Sequence, residues 1–378
     1  MNRITCLLLM FCGLSSLVYA QTNTKVTIIV SNPHSTAKSN MVVAIKWSDV
    51  TAKYPSIDTS NFRVTDIDTK KEIPFQLEYL GKKAVQNLLV QVSVKAGGAS
   101  KLVVAPGKPG NTVRKTYARF VPERYDDFAW ENDKVAYRMY GKALESRKDN
   151  AFGVDVWAKR TSKMVINDWY KSGDYHADHG DGLDYYSVGL TLGAGDIAPV
   201  VGDSIYFSKN YHHWKVLDNG PIRSTFELGY DEWDVAGKLV KVSKTISLDA
   251  GSQMNKVEVN YSYGGNEALP VAVGIVKRKE PGTFLMDEQS GIMAYWEPVH
   301  GADGTIGVGT IIPAEQLKMN TDRIHMLTQT TAKSNQPLVY YHGSAWDKAN
   351  EITDAKAWFN YLYNFKKQLQ EPLKVVVQ

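Results

Sequence analysis

The sequence predicts an all-β protein: a small N-terminal β-sandwich, two large stacked sheets behind it, and one C-terminal helix. Three observations carry that prediction. Apolar residues recur with period two through much of the 378-residue chain. Helical periods are few outside the C-terminal region. A break rich in glycine and proline, residues 107–112, separates a first set of strands from a second. The composition is 43% hydrophobic and 22% charged, which suits a large buried core and excludes a disordered chain.

The first set begins with the β-branched run Lys25–Val26–Thr27–Ile28–Ile29–Val30, closed by Ser31–Asn32–Pro33. Residues 88–94 alternate and then meet Gly97–Gly98, and residues 101–105 end at Pro106–Gly107. These strands place a small β-sandwich at 22–110. In the second set Val240, Val242, Ile246 and Leu248 share one parity. Val257, Val259, Tyr261 and Tyr263 follow the turn 249–252, and Leu269, Val271, Val273 and Ile275 continue the pattern. Many antiparallel strands over residues 115–378 point to stacked sheets rather than a parallel α/β sheet. The helix is read from Asp354 as cap and from Trp358, Tyr361, Leu362, Phe365 and Leu369 at helical spacing up to Pro372.

Residues 1–20 have the parts of an export leader. Arg3 supplies the positive start, residues 7–17 are apolar, and Val18–Tyr19–Ala20 is a small-x-small cleavage site. That run is too short for a membrane anchor, and no later segment is long and uncharged enough to span a bilayer. Both cysteines, Cys6 and Cys12, lie in this leader. The mature chain is therefore expected to be thiol-free and exported, to the periplasm or beyond it. A formal net charge of +4, less Arg3 with the leader, is too mild for nucleic acid.

Chemistry concentrates in residues 168–195, a segment rich in glycine and polar aromatics, with little hydrophobic period, which reads as loop. It carries Lys171, Tyr175, His176 and His179. A histidine here suits proton transfer, since imidazole titrates closest to neutral pH. His176 and His179, with Asp178 and Asp181, are also a candidate divalent-cation site; no other cofactor is implied. A second segment, 123–133, mixes Arg124, Trp130, Glu131 and Asn132, residue types that stack on sugar faces and bond hydroxyls. An ion-paired connection would use the same residues. Trp214, Arg223, Lys277, His342 and Trp346 are single candidates on strands. Lys277 shares the parity of the apolar set 269–275.

Several of these segments resemble one family. They are Arg124-x-Asp126–Asp127–Phe128–Ala129–Trp130–Glu131–Asn132–Asp133, Gly153–Val154–Asp155–Val156–Trp157, Tyr175–His176-x-Asp178–His179–Gly180-x-Gly182–Leu183–Asp184, and Asn219–Gly220–Pro221–Ile222–Arg223. The family comes from bacterial polysaccharide-utilisation loci and was long known only as a domain of unknown function. Its characterised branch includes the oligosaccharide dehydratase of ulvan breakdown. The resemblance implies a galactose-mutarotase-like β-supersandwich and a uronic-acid-containing, anionic oligosaccharide as substrate. A dehydratase of that kind removes the C5 proton and the C4 hydroxyl of a non-reducing-end uronic acid, leaving an unsaturated sugar.

That chemistry needs a cation beside the uronate carboxylate, a base at C5 and an acid at C4. From the residues, Arg223 or Arg124 suits the carboxylate, and Lys171, His176, His179 or His342 suits proton transfer. Trp130, Trp214 or Trp346 suits stacking. The first assignment pairs His176 with Lys171 for proton transfer and makes Arg223 the carboxylate clamp. Two rivals stay open at this level. One is a polysaccharide lyase or mutarotase-type epimerase of the same fold, and the other a glycan-binding protein without turnover.

Overall fold

A computed structural model describes residues 24–378, so the leader and both cysteines lie outside the described residues. The N-terminal part is two sheets face to face. One runs in the order Phe62–Asp66, Ala99–Pro106, Val26–Ser31, Lys374–Val377, and the other in the order Lys38–Lys46, Asn87–Val94, Phe75–Glu78. The β-branched residues seen in the sequence supply the filling: Ile28, Val30, Leu88, Val90, Leu102 and Val104 are all fully buried between them. The last strand of the chain belongs here. Ile29 sits opposite Val376, so the C-terminus returns to the first strand.

Residues 107–115 form an irregular connection, and beyond it the fold is a β-supersandwich. One layer is an eight-stranded sheet. Its order is His213–Asn219, Arg223–Val235, Lys238–Asp249, Met254–Tyr263, Leu338–Trp346, Ile306–Ile311, Ile292–Trp296, Thr283–Asp287. The facing layer is two five-stranded sheets. The first is built on Thr116–Val121, Asp127–Asn132, Ala136–Met139, Asp155–Lys159 and Gly182–Leu183. The second is built on Ser204–Ile205, Ala194–Val201, Leu269–Val276, His325–Ala332 and Lys318–Thr321. The parity sets Val240 to Leu248, Val257 to Tyr263 and Leu269 to Ile275 all point into the core between these layers.

The helix Ala355–Gln370 forms as the spacing predicts. The Asp354 carboxylate accepts the Ala357 N–H at 2.8 Å, and Trp358 and Leu362 are buried against the outer face of the eight-stranded sheet. Two short helices add to it, Trp47–Lys53 and Ile166–Ser172. The second replaces part of the loop expected at 168–195. At seven residues it is too short to show a period in sequence, and Gly173, at φ 71°, ends it in the left-handed conformation that glycine adopts without strain. Among the described residues no helix is long and apolar enough to cross a membrane.

Candidate functional site: an exposed imidazole over a buried ion cluster

Strand alternation in the first five-stranded sheet sends Phe128, Trp130, Tyr137, Met139, Val156 and Ala158 into the main core. The intervening residues Asp127, Glu131, Arg138, Asp155, Trp157 and Lys159 therefore take the outer face. That face is covered by the helix Ile166–Ser172 and the loop after it, through packing of Trp169 and Tyr175 on Trp157. Residues that alternation would leave in water are thus buried.

Two ionic groups result. Glu131 and Lys159 are both buried and pair at 2.7 Å. The Glu131 carboxylate also accepts the N–H groups of Val165 and Ile166, both at 2.9 Å, which satisfies the start of the covering helix. The second group centres on Arg138. Its Nε donates to Asp155 at 2.8 Å and its Nη2 to Asp184 at 2.9 Å, while Asp127 lies 3.7 Å from Nη1. Tyr140 and Tyr170 donate their hydroxyls to Asp155 (3.0 Å) and Asp127 (3.1 Å).

Three buried carboxylates around one guanidinium would carry net negative charge away from bulk solvent, so the cluster holds on to protons. Burial, together with the charge of Asp155, raises Asp184 to about 8 against the pull of Arg138. Burial also lifts Asp127 to about 6, opposed by Arg138 and Arg124.

Above this cluster lies His176, exposed to solvent. Its Nδ1 is 2.8 Å from the main-chain oxygen of Asp184 and 3.8 Å from that residue's Oδ2. A carbonyl oxygen only accepts, so Nδ1 carries a hydrogen, and in the neutral ring the lone pair is on Nε2. The Tyr175 ring lies 4.6 Å from the imidazole, and its hydroxyl accepts from Arg124 Nε at 3.3 Å. Arg124 Nη1 is buried with no partner among the described residues. The structure thus brings Arg124, Tyr175 and His176 together.

The next two residues of the chain extend the polar region. Tyr185 stacks on His300 at 5.0 Å, and Arg278 lies 4.4 Å over the Tyr186 ring while its Nε donates to Glu297 at 2.8 Å. Burial raises Glu297 to about 7, opposed by Arg278. The Tyr186 hydroxyl is buried without a partner among the described residues.

Other predicted residues land elsewhere. Lys171 is exposed on the last turn of the short helix, with no ion pair among the described residues. His179 faces Asp174 at 3.1 Å rather than sharing a ligand with His176, and no cluster of three or more His, Cys, Asp or Glu is placed to hold a cation among the described residues. His342 is fully buried with neither ring nitrogen partnered, and burial lowers its pKa to about 3, so it is a neutral core residue and not an acid or base. Trp130 is buried in the core, its Nε1 donating to Asn255 at 2.8 Å, so it offers no sugar face. Asn132 ties the turns at 134–135 and 249–252, and Glu131 anchors the short helix; neither is open to a ligand.

Arg223 is already bound by Asp249 and Glu78 against the N-terminal sandwich, and it shares no partner with His176. Trp346 is buried, its Nε1 bonded to Asp303 and its ring under Arg160 at 5.3 Å. Lys277 donates to the Asp322 carbonyl just past its strand. Trp214, 45% exposed, stacks on Phe120 at 4.8 Å. Missed by the sequence reading were Arg138, Asp155, Arg278 and Glu297. The available signal was the charge of Arg138 and Asp155 on strands that otherwise read as apolar; Arg278 and Glu297 lie just past the ends of theirs.

The fold and this site define a two-part β-protein, a small sandwich joined to a supersandwich with His176 exposed on a loop pinned by buried charges. The chain belongs to the family described as domain of unknown function (DUF4861), which it matches over residues 30–375. It is 31% identical over 341 residues to uncharacterized protein P7 of Formosa agariphila, covering 84% of this chain and 85% of that protein. Its fold is similar to a glycosyl hydrolase family 38 protein of Enterococcus faecalis (TM-score 0.53, 9% identity, 94% of this chain, 47% of the other). It is also similar to an alpha-mannosidase of Enterococcus faecalis V583 (TM-score 0.52, 11% identity, 94% and 46%). The chain spans about half the length of those two structures.

Proposed function

We propose that the protein is an exported carbohydrate-active enzyme, a dehydratase that eliminates water from the non-reducing-end uronic acid of an oligosaccharide. The observation that carries this reading is the triad of Arg124, Tyr175 and His176, with the imidazole's Nδ1 held by Asp184 and its Nε2 without a partner among the described residues. In this scheme the half-buried Arg124 guanidinium, beside the Tyr175 hydroxyl, sits against the uronate carboxylate and makes the C5 proton more acidic. His176 Nε2 takes that proton. The electron pair of the C5–H bond becomes the C4=C5 double bond, and the C4–O bond breaks. Tyr175 protonates the leaving hydroxyl, so that water departs, and Arg124 stabilises the phenolate that remains. Transfer of the proton from His176 back to Tyr175 resets the site. The main-chain oxygen of Asp184, which accepts from Nδ1, supports the imidazolium while it lasts. A positioned base or acid of this kind contributes roughly 10²- to 10⁴-fold.

The test is incubation of purified protein with uronate-terminated oligosaccharides, read by absorbance of the conjugated double bond and by mass spectrometry. Loss of one water without chain cleavage is expected, and His176→Ala should abolish it. Cleavage of the glycosidic bond would make the protein a lyase instead. No mass change on any uronate oligosaccharide would refute the reading.

A further inference from the structure

The outer face of the eight-stranded sheet is covered by two separate bodies, the N-terminal sandwich and the helix Ala355–Gln370. Between them a cleft of about 420 Å³ stays open. That lies within the roughly 300–1,000 Å³ of small-molecule sites, which favour such junctions between units. The cleft floor is the outward side of three strands and presents Ser247 and Tyr341, the alternates of the core residues Ile246 and Tyr340. Phe365 of the helix forms one wall, its ring edge-on to Tyr341 at 5.4 Å. The facing wall is an ion-paired row. Arg223 donates to both oxygens of Asp249, at 2.5 and 2.8 Å, and to Glu78 at 3.2 Å.

We propose that this cleft is a second carbohydrate site, which takes an uncharged sugar unit against Tyr341 and Phe365 and bonds its hydroxyls to the Arg223–Asp249–Glu78 row. The aromatic surfaces suit the apolar face of a pyranose. Carboxylate oxygens held in place by Arg223 accept from hydroxyls without having to reorganise. The charges that line the cleft, Glu78 and Asp249 against Arg223 and Lys256, sum to zero, so no net field draws an anion. In this the cleft differs from the His176 site, and the proposal does not rest on the dehydratase reading.

The experiment is titration calorimetry and saturation-transfer NMR on the full chain with cellobiose, lactose and maltose. Binding of at least one disaccharide is expected. Ser247→Trp, which fills the floor, should weaken it at least tenfold at unchanged Tm, while His176→Ala leaves it unaltered. Should Ser247→Trp lower Tm, Phe365→Ala on the half-buried wall carries the same expectation. Absence of binding to all three sugars, binding that survives these cleft variants, or binding lost with His176→Ala would each overturn the proposal.

Discussion

Arg138→Met tests the central electrostatic claim. Methionine fills much of the space of the arginine stem but leaves Asp127, Asp155 and Asp184 buried without the guanidinium they share. Removing one partner of a buried ion pair costs about 3–5 kcal/mol, because the remaining charge is uncompensated. With roughly 2.1 cal/mol/K of unfolding entropy per residue, a chain of this length melting as one unit should lose about 4–7 °C in Tm at pH 7. The sign of the pH dependence follows from linkage. Without Arg138, which opposes the rise at Asp127 and Asp184, those two carboxyls have folded-state pKa values further above their unfolded values, so the fold binds protons more tightly than the unfolded chain. The penalty then shrinks as pH falls and grows as it rises. Denaturant melts of wild type and variant at pH 5 and pH 8 measure this directly. A loss under about 1 kcal/mol, the size of an exposed salt bridge, or one that is equal at both pH values, would refute the account of a proton-holding cluster.

Three further outcomes follow from named groups. His342→Leu replaces a buried imidazole with two unpartnered nitrogens, so stability should change by less than about 1 kcal/mol or improve, with turnover unaltered. The unfolded chain takes up a proton at His342 near 6.5 and the fold only near 3, so wild type loses stability through this group as pH falls across that range. Acid melts of His342→Leu should show a smaller loss. Glu297→Gln works in the opposite sense: the stability from the Glu297 proton is full below pH 4.5 and is lost as pH rises through about 7, so the variant should flatten that part of the stability profile. Glu131→Gln removes the charge beside buried Lys159 and weakens the anchor of the short helix. A loss of about 3–5 kcal/mol is expected, with faster hydrogen exchange at Val165 and Ile166.

What the sequence revealed and what it hid divide along the range of the interactions. The helix Ala355–Gln370 was legible because its cap and its apolar stripe lie within sixteen consecutive residues. Strand parity was legible for the same reason. Parity also contained a warning that passes easily unread: Lys244 falls on the inward set of its strand, and it is buried there on Asp196 at 2.7 Å. The helix Ile166–Ser172 was hidden because its start is satisfied by Glu131, thirty-four residues before Val165. Without that helix the outer face of its sheet reads as solvent, and Glu131, Arg138 and Lys159 read as surface charges.

The same long-range device explains why an exposed histidine can be held in place at all. Loops with few apolar contacts sample many conformations, and residues 176–180 are exposed. The loop is fixed at its two ends, by Tyr175 packed on Trp157 and by Asp184 bound to Arg138, and between them by Arg160, which donates to the Asp178 carboxylate and the Gly180 carbonyl. His176 then hangs from the main chain of Asp184 through Nδ1. Arg138 is accordingly a positioning residue for the proposed reaction. Arg138→Met, assayed where the variant remains folded, should lower kcat through a displaced His176 while leaving the disaccharide cleft at full affinity. Full kcat in that variant would mean that the loop holds its histidine without the buried ions.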